Sequence, residues 1–192
     1  MRDHRGEEPA RELAPQETRV MKGQPTAILG IPLPSDAPLF LAVIALHVAA
    51  GLTAVVAGAT AMLSRKRPGR HPLMGTLYFS ALAVVFATMA VISAVRWAED
   101  YHLFVLGSLS FAAAIFGREA RRRLWPGWAR LHMTGMGASY ILLLTAFYVD
   151  NGKILPLWRL LPQWAFWVLP SAIGLPILVW ALLRHPLARN SN

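Results

Sequence analysis

Four histidines are placed where they could bind a metal or a haem. His47 lies inside a long apolar run with no charged residue near it, and His71, His102 and His132 lie at or near an end of later apolar runs. An imidazole in hydrocarbon is costly unless it faces a bundle interior and has a partner. The four residues therefore predict two histidine pairs at two membrane depths.

The outer pair is predicted from distances to the arginine-rich segments. His47 lies about 18 residues before Arg65, and His102 lies about 16 residues before Arg118. At the rise of an α-helix these separations correspond to about 27 Å and about 24 Å. The two depths agree, so we expect His47 and His102 to face each other across a bundle.

The inner pair lies at the opposite membrane surface. His71 directly follows Arg70, and His132 lies just after Arg130. In an up-down-up-down bundle the first helix is diagonal to the third, and the second to the fourth. His71 and His132 are therefore expected to face each other across the bundle axis, as the outer pair does.

Paired histidines on facing helices are typical of b-type haem with two axial imidazoles. Small residues lie on the same helix faces, since Gly51 follows His47 by one turn and Gly75 follows His71 by one turn. Two haems at two depths would carry electrons across the membrane. Two tyrosines on the faces of the inner histidines could donate hydrogen bonds to a haem propionate or a quinone carbonyl: Tyr78 and Tyr140.

Two other interpretations remain open. A zinc-dependent intramembrane hydrolase could use His47 and His102 with Asp100 or Asp150, although the sequence has no close His-x-x-x-His pair. A membrane protein without catalytic activity, such as an assembly factor, a small-molecule carrier or a scaffold, would need no cofactor. The sequence alone decides neither whether the protein is an enzyme nor its oligomeric state.

Composition places the chain among membrane proteins. Charged residues make up 15% of the 192 residues, and the mean hydropathy is +0.43. The absence of cysteine excludes disulfides, thiolate catalysis, iron–sulfur clusters and covalently attached haem. The net charge of +9 does not indicate nucleic-acid binding, because the arginines cluster in short segments between apolar runs, where membrane topology explains them.

Five apolar runs of about membrane-spanning length predict an all-α bundle with about five transmembrane helices, a four-helix core of two hairpins and one appended helix. We place the runs at about 38–64, 72–96, 102–118, 131–149 and 163–184. They lie in a transmembrane domain of residues 36–186. Residues 1–35 are predicted to be a disordered polar tail and residues 187–192 a short cytoplasmic tail.

The two hairpins have similar sequence patterns: a histidine and glycine, a basic loop, then a histidine, glycine and tyrosine. The stretch LHVAAGLTAVVAGATAMLSRKRPGRHPLMGTLY resembles the bacterial membrane proteins of the family of unknown function 2306 (DUF2306). The matching positions are His47, Gly51, Gly58, the basic segment 65–70, His71, Gly75 and Tyr78. Pro72 and Leu73 depart from the pattern. The resemblance implies an integral protein of the bacterial inner membrane, with no settled activity.

The distribution of basic residues predicts the orientation. Four basic residues lie between the first two runs, and five lie from Arg118, at the end of the third run, to Arg130. Both loops should therefore be cytoplasmic, with the N-terminus outside and the C-terminus inside. Reporter fusions at Arg67 and Arg122 should both report the cytoplasm. A fusion at either position that reports the outer side would contradict this topology.

Overall fold

The computed structural model describes residues 26–28, 31–33, 38–65, 68–156 and 158–184. These contain five α-helices: α1 Pro38–Leu63, α2 Arg70–Val95, α3 Trp97–Arg122, α4 Trp128–Asn151 and α5 Gln163–Arg184. A short 3-10 helix, Trp158–Leu160, precedes α5. The five apolar runs are confirmed as helices, and α3 extends beyond its predicted run at both ends.

Two short strands precede the helices, within the range predicted to be a polar tail. The strands β1 Thr26–Ile28 and β2 Ile31–Leu33 pair antiparallel, with Thr26 opposite Leu33. The remainder of that range, and the predicted tail 187–192, lie outside the described residues. The prediction that residues 1–35 are disordered therefore stays a prediction.

The helices form the predicted four-helix core with one appended helix. Consecutive helices pack against one another, α1 also contacts α4, and α5 packs against α4. This order places α1 diagonal to α3 and α2 diagonal to α4. Because α4 packs against α1, α3 and α5, it lies at the centre of the assembly.

Small residues line the contact between α1 and α2. Ala50, Ala54 and Ala57 recur at helical spacing on α1, and all three are buried beside Tyr78 and Leu82 of α2. In lipid, helices associate through close packing of such residues rather than through a hydrophobic driving force. The small residues of α1 therefore hold the first hairpin together.

Two glycines allow α3 and α4 to approach each other even more closely. A Cβ atom placed on Gly135 would lie 2.7 Å from the Ala113 carbonyl oxygen and 2.7 Å from the Gly117 Cα atom. Both neighbours are backbone atoms, which cannot move without displacing a helix. The second hairpin therefore requires glycine at its crossing point.

Four of the helices that the structure describes are long and apolar enough to cross a membrane: α1, α2, α3 and α5. Large apolar side chains on α1 and α5 are exposed, among them Leu46, Leu52, Ile173 and Val179. Lipid tails are the environment that such faces require. The fourth helix, α4, is outside this set, and the hydroxyls of its Ser139 and Tyr140 bind neighbouring helices.

Gly135→Ala should destabilise the bundle, because the added methyl group forces α3 and α4 apart. Overpacking of this kind typically costs about 1–3 kcal/mol. Thermal unfolding of the detergent-solubilised protein should show a lower midpoint for Gly135→Ala than for the wild type. Gly51→Ala is the matched control, since a Cβ atom at Gly51 meets no atom within 4 Å. Equal midpoints for the two variants would show that the close crossing does not limit stability.

Candidate functional site

His71 binds the end of the preceding helix. It is the second residue of α2, and its Nδ1 atom lies 2.9 Å from the carbonyl oxygen of Ala61 on α1. Ala61 lies in the last turn of α1, where carbonyl groups have no partner within the helix. A carbonyl oxygen only accepts, so Nδ1 donates, and in the neutral ring Nε2 carries the lone pair.

His132 repeats this arrangement in the second hairpin. Its Nδ1 atom lies 2.9 Å from the carbonyl oxygen of Gly117 on α3, and again Nδ1 must donate. In both hairpins, a histidine near the start of the second helix binds a carbonyl near the end of the first. The structure thus repeats the pattern that the two hairpin sequences share.

His47 is held in the same tautomer by a hydroxyl group. Its Nδ1 atom lies 2.9 Å from Oγ1 of Thr88 on α2. The single hydroxyl proton of Thr88 is directed to main-chain carbonyls, at 2.7 Å from Val84 and 3.0 Å from Val85. Thr88 therefore accepts from His47, and Nε2 of the neutral imidazole again carries the lone pair.

His102 has a different environment. Its ring lies with centroid distances of 5.6 Å from Tyr101 on the same helix and 5.8 Å from Trp167 on α5. The structure thus places His47 against α2 and His102 against the appended helix. The predicted approach of the outer pair stays a prediction.

The depths of the inner histidines are matched through a contact between α2 and α4. The Tyr78 hydroxyl and the Ser139 hydroxyl lie 2.7 Å apart, across the diagonal of the core. His71 precedes Tyr78 by seven residues, and His132 precedes Ser139 by seven residues. Seven residues are about two helical turns, or about 10 Å. This spacing places His71 and His132 at similar depths, each two turns from the contact. Their imidazoles contact α1 and α3, and their approach to each other stays a prediction.

The two tyrosines predicted to contact a cofactor bind other helices, and their contact with a cofactor stays a prediction. Tyr78 is 2% exposed and binds Ser139, whereas the Tyr140 hydroxyl donates to the Val55 carbonyl of α1 at 3.0 Å. Both rings lie against Gly58, where a Cβ atom would come within 2.6 Å of the Tyr140 ring. These hydrogen bonds join α1, α2 and α4 at the middle of the core.

The two glycines predicted to make room for a planar group have open space beside them. A Cβ atom on Gly51 or Gly75 would meet no atom within 4 Å, whereas Gly58, Gly117 and Gly135 are tightly packed. Gly51 and Gly75 are thus not required for the packing of helices. Each lies one turn after a histidine, on the histidine's own face.

The polar side chains at the outer end do not make a zinc site. Asp100 forms an ion pair with Arg96, with 3.9 Å between Asp100 Oδ2 and Arg96 Nε. Among the residues that the structure describes, no three histidine, aspartate or glutamate side chains are grouped to hold a metal ion. Catalytic zinc needs three protein ligands, so the hydrolase interpretation has no support in the described part of the chain.

Several hydroxyl groups within the apolar runs are partners that sequence reasoning missed. Thr88 accepts from His47, and Ser110 of α3 donates to the Ser139 carbonyl of α4 at 2.9 Å. The sequence does indicate that such contacts exist, because isolated hydroxyls in membrane helices commonly hydrogen-bond to a neighbouring helix. Which helix each one contacts could not be read from spacing alone.

Together, the apolar helices and their internally satisfied polar groups define a multi-pass helical membrane protein in contact with a lipid bilayer. Comparison of the chain with profiles of known families, with curated proteins and with solved structures finds no match. The resemblance to the family of unknown function 2306 therefore stays a prediction.

Thr88→Val should remove the hydroxyl acceptor of the His47 Nδ1–H group. One hydrogen bond contributes about 0.5–1.5 kcal/mol net, so the unfolding midpoint should fall, whereas Thr88→Ser should preserve it. In the reconstituted wild-type protein, ¹⁵N shifts of the His47 ring should show a protonated Nδ1 and an unprotonated Nε2. The opposite tautomer would contradict the assignment.

Proposed function

We propose that this membrane protein is a b-type cytochrome that binds haem at its inner end through His71 and His132. Haem bound there would supply a one-electron carrier, exchanging electrons with a quinol or a redox partner protein. The observation that carries the proposal is that both imidazoles direct Nδ1 at a main-chain carbonyl. Histidines that bind metals usually donate their other ring nitrogen to such an acceptor, which orients the ring and raises its basicity.

Three features around the inner histidines support the proposal. The spacing of both residues from the Tyr78–Ser139 contact favours a common depth, which a haem held between α2 and α4 would need. Gly75 leaves open space one turn from His71. Arg118 directly follows the glycine that binds His132, and its guanidinium lies 4.3 Å from the centre of the Phe79 ring on α2. A cation at this depth is suited to neutralise a haem propionate.

The outer histidines form a second part of the proposal. His47 has the same tautomer as the inner histidines and has open space beside Gly51. The ring of His102, however, packs against Trp167 rather than against a hydrogen-bond acceptor. A second haem at this level would complete an electron path between the two membrane surfaces.

The alternative is a membrane protein without a cofactor, acting as an assembly factor, carrier or scaffold. The observation in its favour is that Tyr78 and Tyr140 already bind protein groups and lock helices together. In this interpretation His71 and His132 serve only to cap and join the helices of each hairpin. The two functions differ in one measurable property, which is the affinity for haem.

Absorption spectra of the full chain, purified in detergent after expression with added haem precursor, test the proposal. A Soret band, with α and β bands on reduction, is the expected result. His71→Asn and His132→Asn retain a side-chain N–H for the carbonyl but cannot bind iron, so each should lower haem content severalfold without unfolding the bundle. His4→Asn, in the N-terminal tail, is the control and should retain haem.

Two outcomes would overturn the proposal. A wild-type protein that remains without haem after haem supplementation would favour the function without a cofactor. Full haem content in His71→Asn and in His132→Asn would show that the inner histidines are not ligands. His47→Asn measures the outer site separately, since it should remove only the second haem.

A further inference from the structure

A cavity lies at the turn between α1 and α2, at the inner surface of the bundle. Its volume is about 500 Å³, and two arginines, Arg65 and Arg70, form its charged wall. Thr60 and Ser64 at the end of α1 also line it, and their hydroxyls donate to the main-chain carbonyls of Val56 and Thr60. The two arginines therefore offer positive charge and N–H donors to a ligand of small size.

The charge in this cavity has no counterpart within the hairpin. Residues 38–98 of the sequence contain no aspartate and no glutamate. The residues that line the cavity also contribute no carboxylate. An anion bound between these two arginine side chains would form charge-assisted hydrogen bonds with both.

In the other arginine-rich loop, a carboxylate of the same chain binds two of the arginines. There, Glu119 accepts hydrogen bonds from Arg122 and Arg123, each at 2.9 Å. The space beside that loop is bounded by Phe116 and Trp125, whose ring centres lie 5.8 Å apart. The second loop thus neutralises arginines with a carboxylate of its own chain, whereas the first loop has none to use.

Exposed leucines lie close to both arginines along the chain. Leu63, which also lines the cavity, is 88% exposed, and Leu73, one turn after Arg70 on α2, is 63% exposed. A phosphate group that carries acyl chains would suit arginines with exposed leucines beside them.

We propose that this cavity binds the phosphate group of an anionic phospholipid, with Arg65 and Arg70 contacting the phosphate and Leu63 and Leu73 contacting the acyl chains. Basic pockets between transmembrane helices are suited to such headgroups. The site is independent of the haem proposal. Bound lipid would neutralise the first loop as Glu119 neutralises the second.

Native mass spectrometry of the detergent-solubilised full chain, titrated with lipid, tests the site. The wild type should retain phosphatidylglycerol in preference to phosphatidylcholine. R65Q/R70Q should weaken retention of phosphatidylglycerol by about thirtyfold, because each basic side chain near an anionic headgroup contributes about fivefold. R65K/R70K keeps the charge and should restore most of the binding, which separates loss of charge from loss of fold.

The control variant removes the same number of charges from the other loop. R122Q/R123Q should bind phosphatidylglycerol as the wild type does, and an equal loss in this variant would reduce the effect to general surface charge and overturn the site. Equal retention of phosphatidylcholine would also overturn it. Displacement of the lipid by millimolar inorganic phosphate would show that the cavity takes free phosphate instead of a lipid.

Discussion

The structure depends on one constraint: polar groups inside lipid must find their partners within the protein. Ser139 of α4 shows how the chain meets it. Its hydroxyl binds Tyr78 of α2, and its carbonyl accepts from Ser110 of α3. One residue thereby joins three helices. Tyr140, the next residue, extends the same junction to α1 through the Val55 carbonyl.

This junction also determines where the histidines lie. Because Tyr78 and Ser139 are bound to each other, the residues two turns before them are brought to similar depths. His71 and His132 are those residues, and each is oriented by a carbonyl of its own hairpin. Glycine at positions 117 and 135 permits the approach of α3 to α4 that brings His132 within reach of its acceptor. The packing of small residues thus positions the groups that could bind a cofactor.

The helices and their order could be predicted from sequence because hydropathy and length determine them. The runs at 38–64 and 163–184 correspond to helices Pro38–Leu63 and Gln163–Arg184. The side-chain partners could not be predicted, since membrane helices are apolar on all faces and their periodicity does not show which face is buried. Thr88 as the partner of His47, and Trp167 as the neighbour of His102, required the packed structure.

The packing of α4 has a consequence for how the chain is made. This helix is not among the described helices that length and hydropathy qualify as membrane spans, and its Ser139 and Tyr140 hydroxyls have their partners on other helices. Of the helices it packs against, α1 and α3 precede it in the chain, and α3 is separated from it by a turn of only a few residues. The carbonyl that binds His132 and the hydroxyl that binds Ser139 both belong to α3. During synthesis, α4 should therefore enter the membrane as a hairpin with α3, which supplies these partners.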